Sequence, residues 1–229
     1  MQNSSLGTSP GAKRKTGVFR FVKSAVHLGD CPLPSLPEVG IVGRSNAGKS
    51  SLINAIVNQR LAKVSGVPGK TTLLNFFEGS HGYRLVDMPG YGYATRSHGE
   101  RGSWRKMVEG YLREREVLRG VVLVMDCRRD WQEEERLLRD WLNLYGRPVV
   151  VAANKVDKLS RSDAARRVSA IRQQSGVREV FAVSAETKTG IVELENYIFG
   201  SWVQRREENL VPEFNDLGLQ SHPSVVTDI

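Results

Sequence analysis

Short blocks of nearly unbroken apolar residues alternate along this chain with longer stretches in which apolar positions recur every three or four residues. The blocks are EVGIV (38–42), LLNFFEG (73–79), YRLVDM (83–88), GVVLVMD (120–126), PVVVAAN (148–154) and EVFAVSA (179–185). GVVLVMD and PVVVAAN lack polar alternation, which predicts strands buried on both faces of a parallel sheet. Between blocks, Leu52, Ile53, Ile56, Val57 and Leu61 fall at helical spacing over 50–61, and Leu138, Trp141, Leu142 and Tyr145 form one stripe over 131–145. Further helices are expected over 103–118, 161–174 and 190–204. LLNFFEG and YRLVDM are separated by SHG alone, too short for a parallel return, so they predict an antiparallel pair. The order predicts an α/β, three-layer fold: a six-stranded, mostly parallel sheet with one antiparallel strand and helices on both faces. The domain is expected over 18–205. Residues 1–17 read as a flexible basic tail, and 206–229 as a disordered one.

Ligands of such sheets bind at the carboxyl ends of the strands, and the unusual residues of this chain collect there. EVGIV runs into GRSNAGKS, which fits G-x-x-x-x-G-K-[ST] with Gly43, Gly48, Lys49 and Ser50. Glycines let backbone N–H groups converge on a phosphate, and the helix opening at Ser50 adds its positive end. Lys49 supplies a point charge for β- and γ-phosphates, and the Ser50 hydroxyl a ligand for Mg²⁺. The motif makes the fold class a P-loop NTPase. The dinucleotide fingerprint G-x-G-x-x-G is not matched.

PVVVAAN opens into NKVD (154–157). The Asp157 carboxylate can accept from both N1–H and the 2-amino group of guanine, whereas adenine leaves it unpaired. The Lys155 stem can lie along the base and Asn154 can brace the loops. VSA (183–185) ends the next strand and can offer backbone N–H groups to the guanine carbonyl. DMPG (87–90) ends another: Asp87 suits an outer contact to Mg²⁺, and the Gly90 N–H can report on the γ-phosphate. In the intervening loop PGKTT (68–72), Thr71 or Thr72 can complete the Mg²⁺ shell; the residues alone do not separate them.

GRSNAGKSSLINA, PGKTTLLNFF, DMPGYGYA and NKVDKL together resemble the EngB family (also called YihA or YsxC), bacterial GTP-binding proteins of large ribosomal subunit assembly, within the Ras-like P-loop GTPases. The similarity spans about 18–205. It implies Thr71 as the Mg²⁺ ligand beside Ser50. It implies GTP contacts at Gly43, Arg44, Ser45, Asn46, Ala47, Gly48, Lys49 and Ser50; at Gly69, Lys70, Thr71, Thr72 and Leu73; at Asp87, Met88, Pro89 and Gly90; at Asn154, Lys155, Val156 and Asp157; and at Val183, Ser184 and Ala185. It also implies a monomer that binds GTP or GDP and the large subunit or its rRNA, with a role in normal cell division. One departure from the wider GTPase pattern is Glu186, where S-A-K would place lysine; it predicts modest guanine affinity.

In Ras-like enzymes a glutamine after D-x-x-G orients the attacking water. Tyr91 stands there, which predicts slow intrinsic hydrolysis that a partner accelerates by ordering the switch loops (65–75 and 88–103). Asn46 resembles the phosphate loops of potassium-activated GTPases and is a candidate K⁺ ligand in catalysis beside Lys49; the alternative is that it shapes the loop.

The net charge is +8, from 33 basic and 25 acidic residues, which points to a polyanionic partner such as RNA. In YGYATRSHGERGSWRK (91–106), Tyr91, Tyr93 and Trp104 can stack on bases, with Arg96, Arg101, Arg105 and Lys106 on phosphates. The alternative is a mobile loop whose aromatics pack on the core, which Trp104 favours by its helical spacing with Val108, Tyr111 and Leu112. Arg161, Arg166, Arg167 and Arg172 form either a phosphate-tracking or a solvated face. Cys31 and Cys127 lack metal-ligand spacing and fit a reducing compartment. No signal-peptide core and no run of about 18 apolar residues occur, so the expected location is the cytoplasm or an organelle matrix, not a membrane. The competing readings are a GTP-gated interaction factor in septation without ribosome binding, and an ATP-dependent enzyme, which NKVD opposes.

Overall fold

The apolar blocks do form the sheet. A computed structural model describes residues 17–63, 73–91 and 98–204, with the side chains of 98–105 excepted. Its strands are β1 (Phe19–Ala25), β2 (Glu38–Gly43), β3 (Leu74–Gly79), β4 (Tyr83–Asp87), β5 (Leu118–Asp126), β6 (Val149–Asn154) and β7 (Val180–Ala182). The helices are α1 (Lys49–Val57), α2 (His98–Glu114), α3 (Glu133–Leu144), α4 (Arg161–Ser175) and α5 (Ile191–Ile198), the last continued by a π turn over Phe199–Val203. The sheet order is β1-β3-β4-β2-β5-β6-β7. The pairing of β3 with β4 is antiparallel, as the short SHG connection requires, and β2 pairs in parallel with β4 and β5.

The sheet therefore has seven strands among the described residues, not six. The additional strand is β1, antiparallel to β3 at the sheet edge. Its register shifts between Phe21 and Lys23, and only Phe19 and Ala25 are buried. A bulged edge strand carrying Arg20 and Lys23 has no clean period of two, which is why it escapes a pattern search.

β5 shows why the blocks are uniformly apolar. Val122 and Val124 face α1 and α5, in a core with Ile41, Leu52, Ile53 and Leu194. Val121, Leu123 and Met125 face α2, α3 and α4, in a second core with Tyr111, Leu112, Leu138, Leu142 and Ile171. Both faces are covered along 120–125, so no position in that run is left for a polar residue.

At the amino end of the sheet, away from the strand ends that carry the motifs, lies a buried charge cluster. Glu38 is fully buried and takes Arg115 Nε at 2.9 Å, Arg115 Nη2 at 2.7 Å and the Tyr111 hydroxyl at 2.8 Å. Arg84 lies 3.5 Å from Glu38 and is also paired with Glu78. The same arginines donate to Pro32 O and Leu33 O, clamping the segment that leads into β2. Burial and the Glu38 carboxylate push the Tyr111 hydroxyl well above the usual phenol range.

The arginines of α4 divide. Arg167 donates to Cys127 O at 2.9 Å and pairs with Asp130, and Arg172 reaches Val180 O. These two hold the fold together. Arg166 pairs only with Asp163 on the surface, so the predicted arginine face is at most half available to a phosphate backbone. No described helix is long and apolar enough to cross a membrane.

Candidate nucleotide site

Five parallel strands, β4-β2-β5-β6-β7, end side by side, and three of the ends are tied together by one side chain. β2 ends at Gly43, and α1 begins at Lys49, after a turn in which Asn46 (φ 64°) and Gly48 (φ 97°) are left-handed. At Gly48 a Cβ would also lie 2.3 Å from Asn154 Nδ2, so only glycine fits. The loop closes around the Lys49 ammonium, which donates to Gly43 O at 3.1 Å and Arg44 O at 3.5 Å. Ser45, Asn46 and Ala47 form the intervening turn, with Ala47 N–H donating to Arg44 O.

Asn154, at the end of β6, is almost fully buried. Its Nδ2 donates to Ala47 O at 2.9 Å, and its Oδ1 accepts from Ala185 N–H at 3.1 Å. One amide thus joins the phosphate loop to the loop after β7, the bracing role its motif predicts. Lys155 is left-handed (φ 69°) and sends its ammonium back to Asn46 O at 2.7 Å. Val156 N–H donates to Val183 O. Asp157 accepts from Ser184 Oγ at 2.6 Å and faces Lys158 Nζ at 3.0 Å. The Ser184 bond and then Lys158 hold its carboxyl below the usual range, so it is an ionised acceptor at neutral pH. The VSA amides are engaged within the protein: Val183 N–H on Ala153 O, Ser184 N–H on Thr189 O, and Ala185 N–H on Asn154.

At the end of β4, Asp87 is buried and Ser50 Oγ donates to its Oδ2 at 3.4 Å. Its Oδ1 is buried without a hydrogen-bond partner among the described residues. Burial raises the carboxyl to about 6, against the lowering effects of Lys49 and Ser50. An orphaned carboxylate oxygen beside a serine hydroxyl fits a hard cation taking oxygen ligands, and Mg²⁺ uses one or two protein oxygens together with phosphates and water. Met88 N–H extends the β2 pairing to Ile41 O, Pro89 follows, and Gly90 lies over the phosphate loop; a Cβ there would come 2.8 Å from Lys49 Nζ. Gly69, Lys70, Thr71 and Thr72 lie outside the described residues, and Leu73 directly precedes β3.

Of the two readings of Tyr91, stacking on RNA or packing on the core, the structure shows packing. Tyr91 is 6% exposed, its carbonyl accepts from Ser45 N–H, and its hydroxyl donates to Glu135 Oε1 of α3 at 3.0 Å. Glu135 is itself 3% exposed and caps α3 by accepting Gln132 N–H. The ring is unavailable for stacking on a base, because β2, α3 and the phosphate loop enclose it. Tyr93 and Arg96 lie outside the described residues, as do the side chains of Arg101, Trp104 and Arg105. Replacing Tyr91 with phenylalanine leaves a buried carboxylate oxygen unpaired. It is expected to lower the unfolding free energy by about 1–3 kcal/mol in urea titration; a change below about 0.5 kcal/mol speaks against the contact.

The motifs did not reveal Asp126, Arg128 or Glu135. Asp126 ends β5, carries Arg128 on its carboxylate and lies 3.1 Å from Lys155 Nζ. The one signal in the sequence was a carboxylate closing an otherwise apolar strand.

Residues 38–155 match the family model described as 50S ribosome-binding GTPase. The chain is 50% identical over 186 residues to the probable GTP-binding protein EngB of Bdellovibrio bacteriovorus, covering 81% of this chain and 93% of that one. It is 46% identical over 187 residues to the protein of the same description from Pelotomaculum thermopropionicum, covering 80% and 94%. Among solved structures, a probable GTP-binding protein engB superposes with a TM-score of 0.60 at 21% identity, covering 72% of this chain and 97% of that one. Era of Aquifex aeolicus gives 0.62 at 22%, covering 80% and 62%. With the phosphate loop, the guanine-type strand end and the sheet order in place, the chain belongs to the EngB family of P-loop GTP-binding proteins.

Proposed function

We propose that this protein is a slow, Mg²⁺-dependent GTPase switch that acts in large ribosomal subunit assembly and so supports normal cell division, as a cytoplasmic monomer without membrane attachment. The observation that carries the nucleotide reading is Asn154, whose amide locks the loop around Lys49 to the strand end where Asp157 is held by Ser184. A phosphate binder and a base reader fixed to each other define one ligand with both parts. Lys49 and the backbone amides of 43–50 would bind the β- and γ-phosphates. Asp157 would select guanine by accepting two of its N–H groups. Ser50 and Thr71 would hold Mg²⁺, with Asp87 as an outer contact; the ion would supply charge neutralisation on the phosphates. Gly90 would offer its N–H to the γ-phosphate, as its place over the phosphate loop allows.

The Tyr91 hydroxyl is committed to Glu135, which supports a low intrinsic rate. Asn46, left-handed beside Lys155, is the proposed K⁺ position; a cation there would offset charge that develops in phosphoryl transfer. The ribosomal part rests on the description of the matched family model and on the basic balance of the chain.

Phosphate release from GTP, with ATP as the control, tests this reading. Hydrolysis should need Mg²⁺, run several-fold faster in K⁺ than in Na⁺, and accelerate when purified large subunits are added. Equal rates in the two salts remove the K⁺ site. Indifference to large subunits removes the ribosome as the activating partner.

A further inference from the structure

We infer that Asp126 is a positioning residue for the guanine base: it fixes the Lys155 side chain against the phosphate loop before nucleotide arrives, and Arg128 in turn aims it. The inference rests on the guanine reading above and adds to it how the floor of the base pocket is set.

Asp126 is the last residue of β5 and lies in register with Asn154, the last of β6. The next residue, Lys155, turns left-handed, and its ammonium meets two acceptors from different elements: Asn46 O at 2.7 Å and Asp126 Oδ2 at 3.1 Å. A lysine side chain loses much rotamer freedom when it is held in one pose. If the stem were loose, a base settling along it would have to freeze it, and affinity would fall accordingly. A single carbonyl leaves an ammonium two unused donors and freedom to swing. The carboxylate on the opposite side removes that freedom.

The carboxylate cannot swing either. Arg128 donates Nε to Oδ1 at 2.9 Å, Nη2 to Oδ2 at 2.6 Å and its backbone N–H to Oδ1 at 3.1 Å. Asp126 is 8% exposed, and although burial opposes its ionisation, the Arg128 and Lys155 contacts hold its carboxyl well below the usual range. The pair does not belong to the apolar core. It lines a cavity of about 240 Å³ beside the phosphate loop, together with Arg44, Ser45 and Asn46.

If Asp126 only stabilised the fold, its removal would lower the melting temperature and leave the folded protein's affinity alone, whatever stands at position 155. If it acts through Lys155, its effect must vanish when the ammonium is gone. The test is a double-mutant cycle on the full chain, read by titration with a fluorescent GDP analogue and accompanied by thermal melts. Asp126→Asn is expected to weaken binding about tenfold in the presence of Lys155 and less than about twofold in a Lys155→Met background. The ratio of GDP to IDP affinity should be unchanged by Asp126→Asn, because Lys155 supports the ring without reading its 2-amino group. An equal loss in both backgrounds, or no loss in either, overturns the assignment. Should Asp126→Asn fail to fold, Arg128→Gln reads the same chain of contacts from its exposed end: about threefold weaker binding with Lys155 present and none further with Met, on the same grounds. Equal effects of Arg128→Gln in the two backgrounds overturn the assignment equally. Failure of the unmodified protein to bind GDP strikes the guanine reading itself, whereas binding with an additive cycle strikes Asp126 alone.

Discussion

Replacing Asp157 with asparagine is expected to weaken GDP binding by about 10²–10³-fold and to improve binding of xanthosine diphosphate by a comparable factor. The direction follows from hydrogen-bond bookkeeping. The Asp157 carboxylate offers only acceptors, and guanine presents N1–H and a 2-amino group, both donors. Asparagine offers one acceptor and one donor, so an N–H of the amide would face the guanine 2-amino group. Xanthine carries a carbonyl at that position, and the asparagine N–H can donate to it. The fold should survive, because the side-chain oxygen of asparagine can still accept the Ser184 hydroxyl that now binds Asp157 at 2.6 Å. Parallel titrations with the two diphosphates check this. A uniform loss for both nucleotides would mean that Asp157 only supports the loop.

The second large effect is predicted far from the nucleotide. Glu38→Ala is expected to lower the unfolding free energy by about 3–5 kcal/mol, because it strands a largely buried Arg115 that has lost its carboxylate. The residue left behind would keep its contact to Pro32 O, but two guanidinium bonds and the Tyr111 hydroxyl bond would be gone. Replacing both members, Glu38→Leu with Arg115→Met, should recover part of the loss, since it removes the stranded Arg115 charge while Arg84 keeps Glu78 and only the Tyr111 hydroxyl stays without its acceptor. Urea titration separates the outcomes. If the single and double replacements lose equal stability, the cluster is not behaving as an ion pair. GDP affinity of the folded protein should stay within about twofold, because Glu38 opens β2 and the site lies where β2 ends.

What the sequence made legible was chemistry that depends on residue type at short range. Gly48 and Lys49 close the phosphate loop and Asn154 braces two loops, and these were legible because few side chains can do so. The uninterrupted apolar run of β5 was equally plain, since both of its faces are covered. Less visible was whatever depends on contacts between distant segments. β1 hides behind Arg20, Lys23 and a bulge. The burial of Tyr91 depends on Glu135, 44 positions later, and no local pattern distinguishes it from an exposed aromatic in a polar loop. Arg167 and Arg172 looked like a phosphate-tracking face because a helix period places them on a surface. The carbonyls of Cys127 and Val180, to which they are bound, become neighbours only when the sheet assembles. The start of α2 at His98, five residues before its predicted beginning, falls in HGERG, whose two glycines favour a loop by propensity.

Coupling between the nucleotide site and the ribosome is tested by cosedimentation of the protein with purified ribosomal subunits, in GDP and in a non-hydrolysable GTP analogue, at low and high salt. The protein should be retained on the large subunit in the GTP analogue, weakly in GDP, and lost from it in both at high salt as phosphate contacts are screened. Equal retention in the two nucleotides, or none on the large subunit, would contradict the claim that the nucleotide site gates ribosome binding.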